Sequence, residues 1–150
     1  MSYHSLIYHI ILRTAWSKRS ISEQYERELY TYLYTFLTNK GGHVYRIGGM
    51  PEHIHILVSL PPSVCVSALV GEMKRCSHLF LKSERHKFPA FDGWSKSFGV
   101  FSHAFYEREK IVNYIRNQKE HHKRVSFEEE LRTIFMEVGI EYKEDYFLKD

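Results

Sequence analysis

The sequence predicts an α+β fold, in which helices pack against an antiparallel sheet. Short runs rich in β-branched and aromatic residues alternate with longer runs whose apolar residues recur at helical spacing. The connections between these runs are short, as in a compact domain. The length of 150 residues, with 43% apolar and 26% charged residues, suits one sizeable core. We therefore predict a single domain over residues 1–150.

The predicted elements follow the order strand, helix, strand, strand, helix, strand, and then further helices. Two capping-box spacings, Ser20 with Glu23 and Ser126 with Glu129, predict where two of the helices begin. A glycine-rich stretch over residues 48–51 predicts the turn of a hairpin. The predicted bounds are a strand over residues 6–12, a helix after Ser20 that ends at residue 41, strands over 43–47 and 53–60, a helix over 63–81, a strand over 94–101, and helices over 107–123 and 126–139.

This order is the split βαβ of a ferredoxin-like sandwich, an antiparallel sheet with helices on one face, here with additional C-terminal helices. The tail after residue 139 is expected to pack through aromatic side chains, namely Tyr142, Tyr146 and Phe147. No run approaches the roughly 20 apolar residues of a membrane span, and the first residues lack a signal-peptide pattern. We expect a cytoplasmic protein with no membrane partner. The net charge of +3 permits a nucleic-acid partner without requiring one.

The first candidate site is the pair His53 and His55 in the predicted third strand. Residues two apart on a strand point to the same side, so both imidazoles share one face of the sheet. Two such rings can bind a divalent cation. The alternative interpretation is that both are ordinary histidines on a sheet face, with no ligand. A histidine-triad hydrolase would need a third histidine where Leu57 stands. A two-histidine phosphoesterase would need a second His-x-Ser/Thr element, which the reversed pairs at residues 77–78 and 102–103 do not supply.

The second candidate site is Tyr114 with Gln118 in a predicted helix. Residues four apart on a helix are neighbours, so the hydroxyl and the amide face the same way. Gln118 falls almost inside the apolar stripe of that helix, where a polar side chain needs a partner. A metal ion between helix and sheet would supply one, and a hydrogen bond to backbone would serve equally well.

Together, the two candidate sites indicate phosphodiester cleavage by a tyrosine. In-line attack by Tyr114 would form a phosphotyrosine that conserves the energy of the bond. Such a reaction needs a divalent cation to polarise the scissile phosphate. His53, His55 and Gln118 supply two imidazoles and an amide oxygen, a donor set that suits Mn²⁺ and tolerates Mg²⁺.

With these motifs, the chain resembles the single-tyrosine HUH transposases of the smallest insertion sequences, including the REP-associated tyrosine transposases. The resemblance covers essentially the whole chain. Its matching stretches are Tyr8-His9, residues 51–57, the strand over 94–102, residues 114–118, residues 120–123 and residues 139–142.

The resemblance implies a ferredoxin-like fold and cleavage of single-stranded DNA, often beside a hairpin, through a 5′-phosphotyrosine intermediate. It implies that His53, His55 and Gln118 hold Mg²⁺ or Mn²⁺, that Tyr114 is the nucleophile, and that no small-molecule cofactor is used. Glu52 stands where the family usually has aspartate. A carboxylate is still present to support the metal-ligand histidines, but its side chain is one methylene longer. Many members are homodimers in which the tyrosine helix serves the partner's metal site, so we expect a homodimer.

Basic side chains supply candidate contacts to the DNA backbone, and a solvated basic surface is the alternative for each. These candidates are Lys74, Arg75, Arg85, Lys87, Lys119, His121, Lys123 and Arg124. Two other functions remain open. One is a non-catalytic ferredoxin-like module that binds structured single-stranded nucleic acid. The other is a replication initiator or relaxase of the wider HUH class, which usually needs a longer chain.

Overall fold

The sheet has the predicted ferredoxin-like topology. The computed structural model describes residues 2–143 and 148–150, so the predicted packing of Tyr146 and Phe147 lies outside the described residues. The four strands form one antiparallel sheet in the order β2-β3-β1-β4. Within the described part of the chain, no helix is long and apolar enough to cross a bilayer. The elements are β1 (Ile7–Thr14), α1 (Glu26–Asn39), β2 (His43–Met50), β3 (His53–Ser59), α2 (Val66–Ser83), β4 (Trp94–His103), α3 (Arg108–Arg116), α4 (Gln118–His121) and α5 (Phe127–Val138).

Strand β3 separates the main core from the histidine pair. Ile54, Ile56 and Val58 are completely buried in the core that α1 and α2 cover. His53 and His55 point to the opposite face, where Ile11 of β1 lies directly across from His55. The period-two pattern predicted this division.

The C-terminal helices cover the histidine face of the sheet. Leu57 packs against Ile111 and Ile115 of α3. Phe101 packs against residues of α5, among them Phe127. The sheet is therefore enclosed on both sides, with α1 and α2 on one face and the additional helices on the other.

Helix α1 begins later than its capping box predicts. The backbone N–H groups of Ser20 and Ile21 donate to the carbonyl of Pro51, at 3.1 and 3.0 Å. This contact holds the segment against the β2–β3 turn, so the helix begins only at Glu26. The second capping prediction is confirmed, because the hydroxyl of Ser126 accepts the N–H of Glu129 at the start of α5.

The predicted glycine turn is wrong, since Gly48 and Gly49 lie inside β2 and the turn falls at residues 51–52. A Cβ on Gly48 would lie 3.0 Å from both Cγ2 and the carbonyl oxygen of Ile115. A Cβ on Gly49 would lie 2.3 Å from the carbonyl oxygen of His53. The two glycines therefore allow close approach, and Gly48 lets α3 lie directly on the sheet.

The helix predicted over residues 107–123 is broken at Asn117, whose φ of −95° and ψ of 17° are not helical. Tyr114 therefore belongs to α3 and Gln118 begins α4. The backbone remains nearly helical across the break, because the N–H of His121 donates to the carbonyl of Asn117. The side chains of Tyr114 and Gln118 therefore still lie on the same side of the two helices.

Candidate active site

The two histidines of β3 present the same ring nitrogen, Nε2, to one point beneath α5. Both side chains are fully buried. The Nδ1 of His53 donates to Oε1 of Glu52 at 3.0 Å. The Nδ1 of His55 lies 2.7 Å from Nε2 of His9, which shares its sheet face. These partners orient the rings and leave Nε2 as the atom available to a ligand, as in sites where a carboxylate supports a metal-bound histidine.

Gln118 joins the histidines from the other side. Its Oε1 lies 3.0 Å from Nε2 of His53, and the side chain is almost completely buried. Its Nε2 donates to Oε2 of Glu130 at 2.9 Å. An amide oxygen has no hydrogen to give, so its approach to His53 requires a proton or a cation at Nε2 of the ring.

Glu130 of α5 is a site residue that sequence analysis missed. Its side chain is only 1% exposed, and Oε1 lies 3.1 Å from Nε2 of His55 and 3.3 Å from Nε2 of His53. The signal was present, because Glu130 follows Phe127 by three residues and precedes Ile134 by four, which places it on the apolar stripe of α5.

Tyr114 lies beside the histidine pair of its own chain. Its hydroxyl donates to Oε2 of Glu130. Its ring meets the ring of His55 edge-on, with 5.6 Å between the centroids. The predicted nucleophile and the predicted ligands therefore meet within one chain, whereas the resemblance implies that many members pair them across a dimer.

The charges of the site follow from burial and from Glu130. Burial alone would raise the pKa of Glu130, but its contacts with His122, His53 and His55 hold that pKa well below the usual range. Burial opposes a charged His53, yet hydrogen bonds to Glu130 and Glu52 outweigh it and raise the pKa of His53. Burial lowers the pKa of His55 despite the pull of Glu130. Burial and the neighbouring carboxylate raise the pKa of Tyr114, so its hydroxyl keeps its proton at neutral pH.

These side chains fit a divalent cation. His53, His55 and Glu130 each offer a ligand atom, and the three atoms lie within 4.8 Å of one another. Neighbouring ligands of one ion, each at about 2.1 Å, are separated by about 3.0–3.5 Å. The separations of 3.0–3.3 Å among His53, His55, Gln118 and Glu130 match that spacing. Imidazole and oxygen donors are a set that first-row divalent metals accept.

The basic residues predicted to contact DNA lie on two sides of the sheet. One group belongs to α2 and the loop after it, on the face opposite to the histidine pair: Lys74, Arg75, Arg85 and Lys87. The other group belongs to α4 and the loop after it, on the histidine side: Lys119, His121, Lys123 and Arg124.

Several of these cations already have partners. Lys74 donates to the backbone of β4, and Lys87, Lys119 and Lys123 form ion pairs with glutamates. His121 lies within 3.4 Å of Glu130. Among the residues that the structure describes, Arg75, Arg85 and Arg124 form no ion pair. Of the eight predicted DNA contacts, these three are the side chains most available to a phosphate.

Comparisons with known proteins identify relatives of this chain. The family model described as "Transposase IS200 like" matches residues 2–118. A candidate transposase from Deinococcus radiodurans R1 is 25% identical, with a TM-score of 0.61, over 78% of this chain and 93% of that chain. A REP-associated tyrosine transposase bound to a REP hairpin is 16% identical, with a TM-score of 0.57, over 83% of this chain and 76% of that chain. A search of curated proteins finds no match.

The family match spans the whole sheet and both helical residues of the predicted site. It includes His53, His55, Tyr114 and Gln118, and it ends twelve residues before Glu130. The fold, confirmed by both structural relatives, is the one that the resemblance implies. The chain belongs to the family of IS200-like transposases.

Proposed function

We propose that this transposase nicks and rejoins single-stranded DNA through a covalent link to Tyr114, in a metal-dependent reaction. The observation that carries the proposal is the convergence of the Tyr114 hydroxyl with His53, His55 and Gln118 around one buried carboxylate. A non-catalytic binding module has no need of a tyrosine hydroxyl aimed at a cluster of metal-ligand side chains.

The chemistry assigns a role to each side chain. The Tyr114 oxygen attacks the phosphorus, the bond to the 3′ oxygen breaks, and the 3′ oxygen takes a proton from solvent. Glu130 accepts the hydrogen bond of the phenol at Oε2 and so positions the attacking oxygen, and the phenol proton passes to solvent. His53, His55 and Gln118 would hold Mg²⁺ or Mn²⁺, with Glu52 orienting the first ring. That cation, when bound, supplies positive charge that polarises the scissile phosphate.

The products are a 5′-phosphotyrosine and a free 3′-hydroxyl. Attack by another 3′-hydroxyl reverses the step, releases Tyr114 and joins the strands without an external energy source. Because a structural relative is bound to a REP hairpin, we propose a hairpin-bearing single strand as the substrate. Its candidate backbone contacts are then Arg75, Arg85 and Arg124, which form no ion pair with any described residue.

A covalent-adduct assay tests the nucleophile. The probe is a pool of labelled single strands that carry a hairpin with randomised flanks, in Mn²⁺ or in EDTA. We expect a protein–DNA adduct on a denaturing gel with the wild type in Mn²⁺ only. Tyr114→Phe should form none, because it lacks the attacking oxygen, yet it should retain the pool within about threefold in a native gel shift. Tyr106→Phe, a change at an 85% exposed tyrosine, is the matched control and should form the adduct normally.

Two outcomes would contradict the proposal. An adduct formed by Tyr114→Phe would rule out this nucleophile. A wild type that retains the pool but forms no adduct, with His53→Ala and Gln118→Ala equally able to retain it, would favour the non-catalytic module.

The homodimer remains a prediction, and we propose that each chain cleaves with its own tyrosine. Mixing Tyr114→Phe with His53→Ala tests this arrangement. We expect no adduct from the mixture, because neither chain holds both the hydroxyl and the full ligand set. Adduct formation in the mixture would mean that Tyr114 serves the partner's site.

A further inference from the structure

A second group of potential ligands lies on the far side of Glu130. His121 ends α4 and His122 follows it. Their Nε2 atoms lie 3.4 and 3.2 Å from Oε2 of Glu130, the carboxylate oxygen that faces away from the pair on β3. The side chain of His122 is only 4% exposed. No step of the proposed reaction uses either ring.

This carboxylate oxygen has more neighbours than it can accept hydrogen bonds from. The hydroxyl of Tyr114 and the amide of Gln118 already donate to it. These two donors and the two imidazole rings cannot all bond to one oxygen. The Nε2 atoms of His121 and His122 are buried and make no hydrogen bond within the described residues, although they lie only 3.4 and 3.2 Å from Oε2. A buried nitrogen without a partner needs an explanation, and a cation bound there would be one.

We propose that His121, His122 and Glu130 hold a second divalent cation beside the hydroxyl of Tyr114. The three ligand atoms lie within 4.8 Å of one another. The separations of 3.2 and 3.4 Å from the carboxylate match the spacing of about 3.0–3.5 Å between neighbouring ligands of one ion. Two neutral imidazoles and a carboxylate form a donor set that Mn²⁺ accepts.

Glu130 is then a bridging carboxylate, with Oε1 toward the histidines of β3 and Oε2 toward those of α4. Paired divalent ions beside a reacting phosphate are a known arrangement in phosphoryl transfer. The second position borders a pocket lined by His103, Lys110 and Glu137, as well as by Tyr114 and His121, which gives an ion a route from solvent. This proposal rests on the proposed function for the role of Tyr114, but its test measures binding alone.

The test counts bound Mn²⁺. Free Mn²⁺ is titrated into the full chain and followed by its electron paramagnetic resonance signal, with binding to His122→Ala and His122→Asn measured in parallel. We expect two ions per wild-type chain and one per chain in both variants, with the affinity of the remaining ion changed by less than about threefold. His86→Ala is the control at a 70% exposed histidine and should keep two ions. Circular dichroism and thermal unfolding establish that each variant is folded.

Anomalous scattering from Mn²⁺-soaked crystals places the ions. We expect one peak among His53, His55 and Gln118 and another among His121, His122 and Glu130. A single peak at the first position, or a folded His122 variant that still binds two ions, would overturn the second site and leave the proposed function intact. No peak at the first position would overturn the metal assignment of the proposed function instead.

Discussion

Three glycines lead to a quantitative prediction, because Gly48 and Gly49 of β2 and Gly71 of α2 differ in the space that an added methyl group would find. At Gly71 in α2 a new Cβ meets no heavy atom within 4 Å beyond its chain neighbours and the backbone of its own helix. At Gly48 it would lie 3.0 Å from the side chain and the carbonyl oxygen of Ile115. At Gly49 it would lie 2.3 Å from the carbonyl oxygen of His53, in the neighbouring strand.

These distances set the order of stability. Gly71→Ala should stabilise the protein by about 0.5–1 kcal/mol, since alanine loses less chain entropy in a helix and meets no obstacle. Gly48→Ala should destabilise it by about 1–3 kcal/mol, the usual cost of overpacking, because α3 must move away from the sheet. Gly49→Ala should cost more than about 3 kcal/mol, because its obstacle is backbone held in the sheet.

Urea unfolding of the three variants at pH 7 measures the order. Thermal unfolding measures the same order. Because each kcal/mol shifts the melting temperature by about 2–4 °C at this chain length, Gly71→Ala should melt a few degrees above the wild type and Gly48→Ala below it. In Gly48→Ala the displaced helix also carries Tyr114, so adduct formation should fall more than DNA retention does. Equal stability of Gly48→Ala and Gly71→Ala would refute the reasoning, since conformational preference rather than close approach would then explain the glycines of β2.

Two further predictions concern the metal site. Because the pKa of His53 is raised and a proton on its ring competes with the cation, Mn²⁺ affinity should increase about tenfold per pH unit from pH 5.5 and level off only above pH 6.5. The lowered pKa of His55 makes a proton on that ring a weaker competitor, so an affinity that does not vary between pH 5.5 and 7.5 would contradict the role of His53. Glu52→Gln should weaken Mn²⁺ binding by about 10–100-fold, because the carboxylate that orients His53 is lost. Glu72→Gln, a change in an exposed ion pair of α2, is the control for that comparison and should bind as the wild type does.

Local sequence patterns predicted the sheet and which side chains share a face of it. The alternation in β3 separates Ile54 and Ile56 from His53 and His55 because strand geometry has a strict period of two. The position of Gln118 on an apolar stripe likewise predicted burial with a polar partner. In both cases the period of the backbone decides which way a side chain faces, and that period can be read from neighbouring residues of the chain.

Tertiary contacts decided what the patterns did not. The backbone N–H of Ser20 donates to the carbonyl of Pro51, and no helix begins at Ser20. The spacing of Ser20 and Glu23 cannot distinguish this contact from a helix start. Gly48 and Gly49 have the composition of a turn, and only the position of α3 shows that they serve close packing. Glu130 reaches the site from α5, seventy-five residues after His55, so its partner could not be identified from spacing alone.

The alternation along β3 constrains how this strand can change. Its odd-numbered histidines serve the site and its even-numbered aliphatic residues serve the core, so each set can be substituted without touching the other. Inserting or deleting one residue within the strand would turn every following side chain over. Imidazoles would then enter the apolar interior while isoleucines replaced the ligands, and stability and cleavage would be lost in the same event. Only length changes of two residues, or changes confined to the turn at residues 51–52, keep both sets facing their own side.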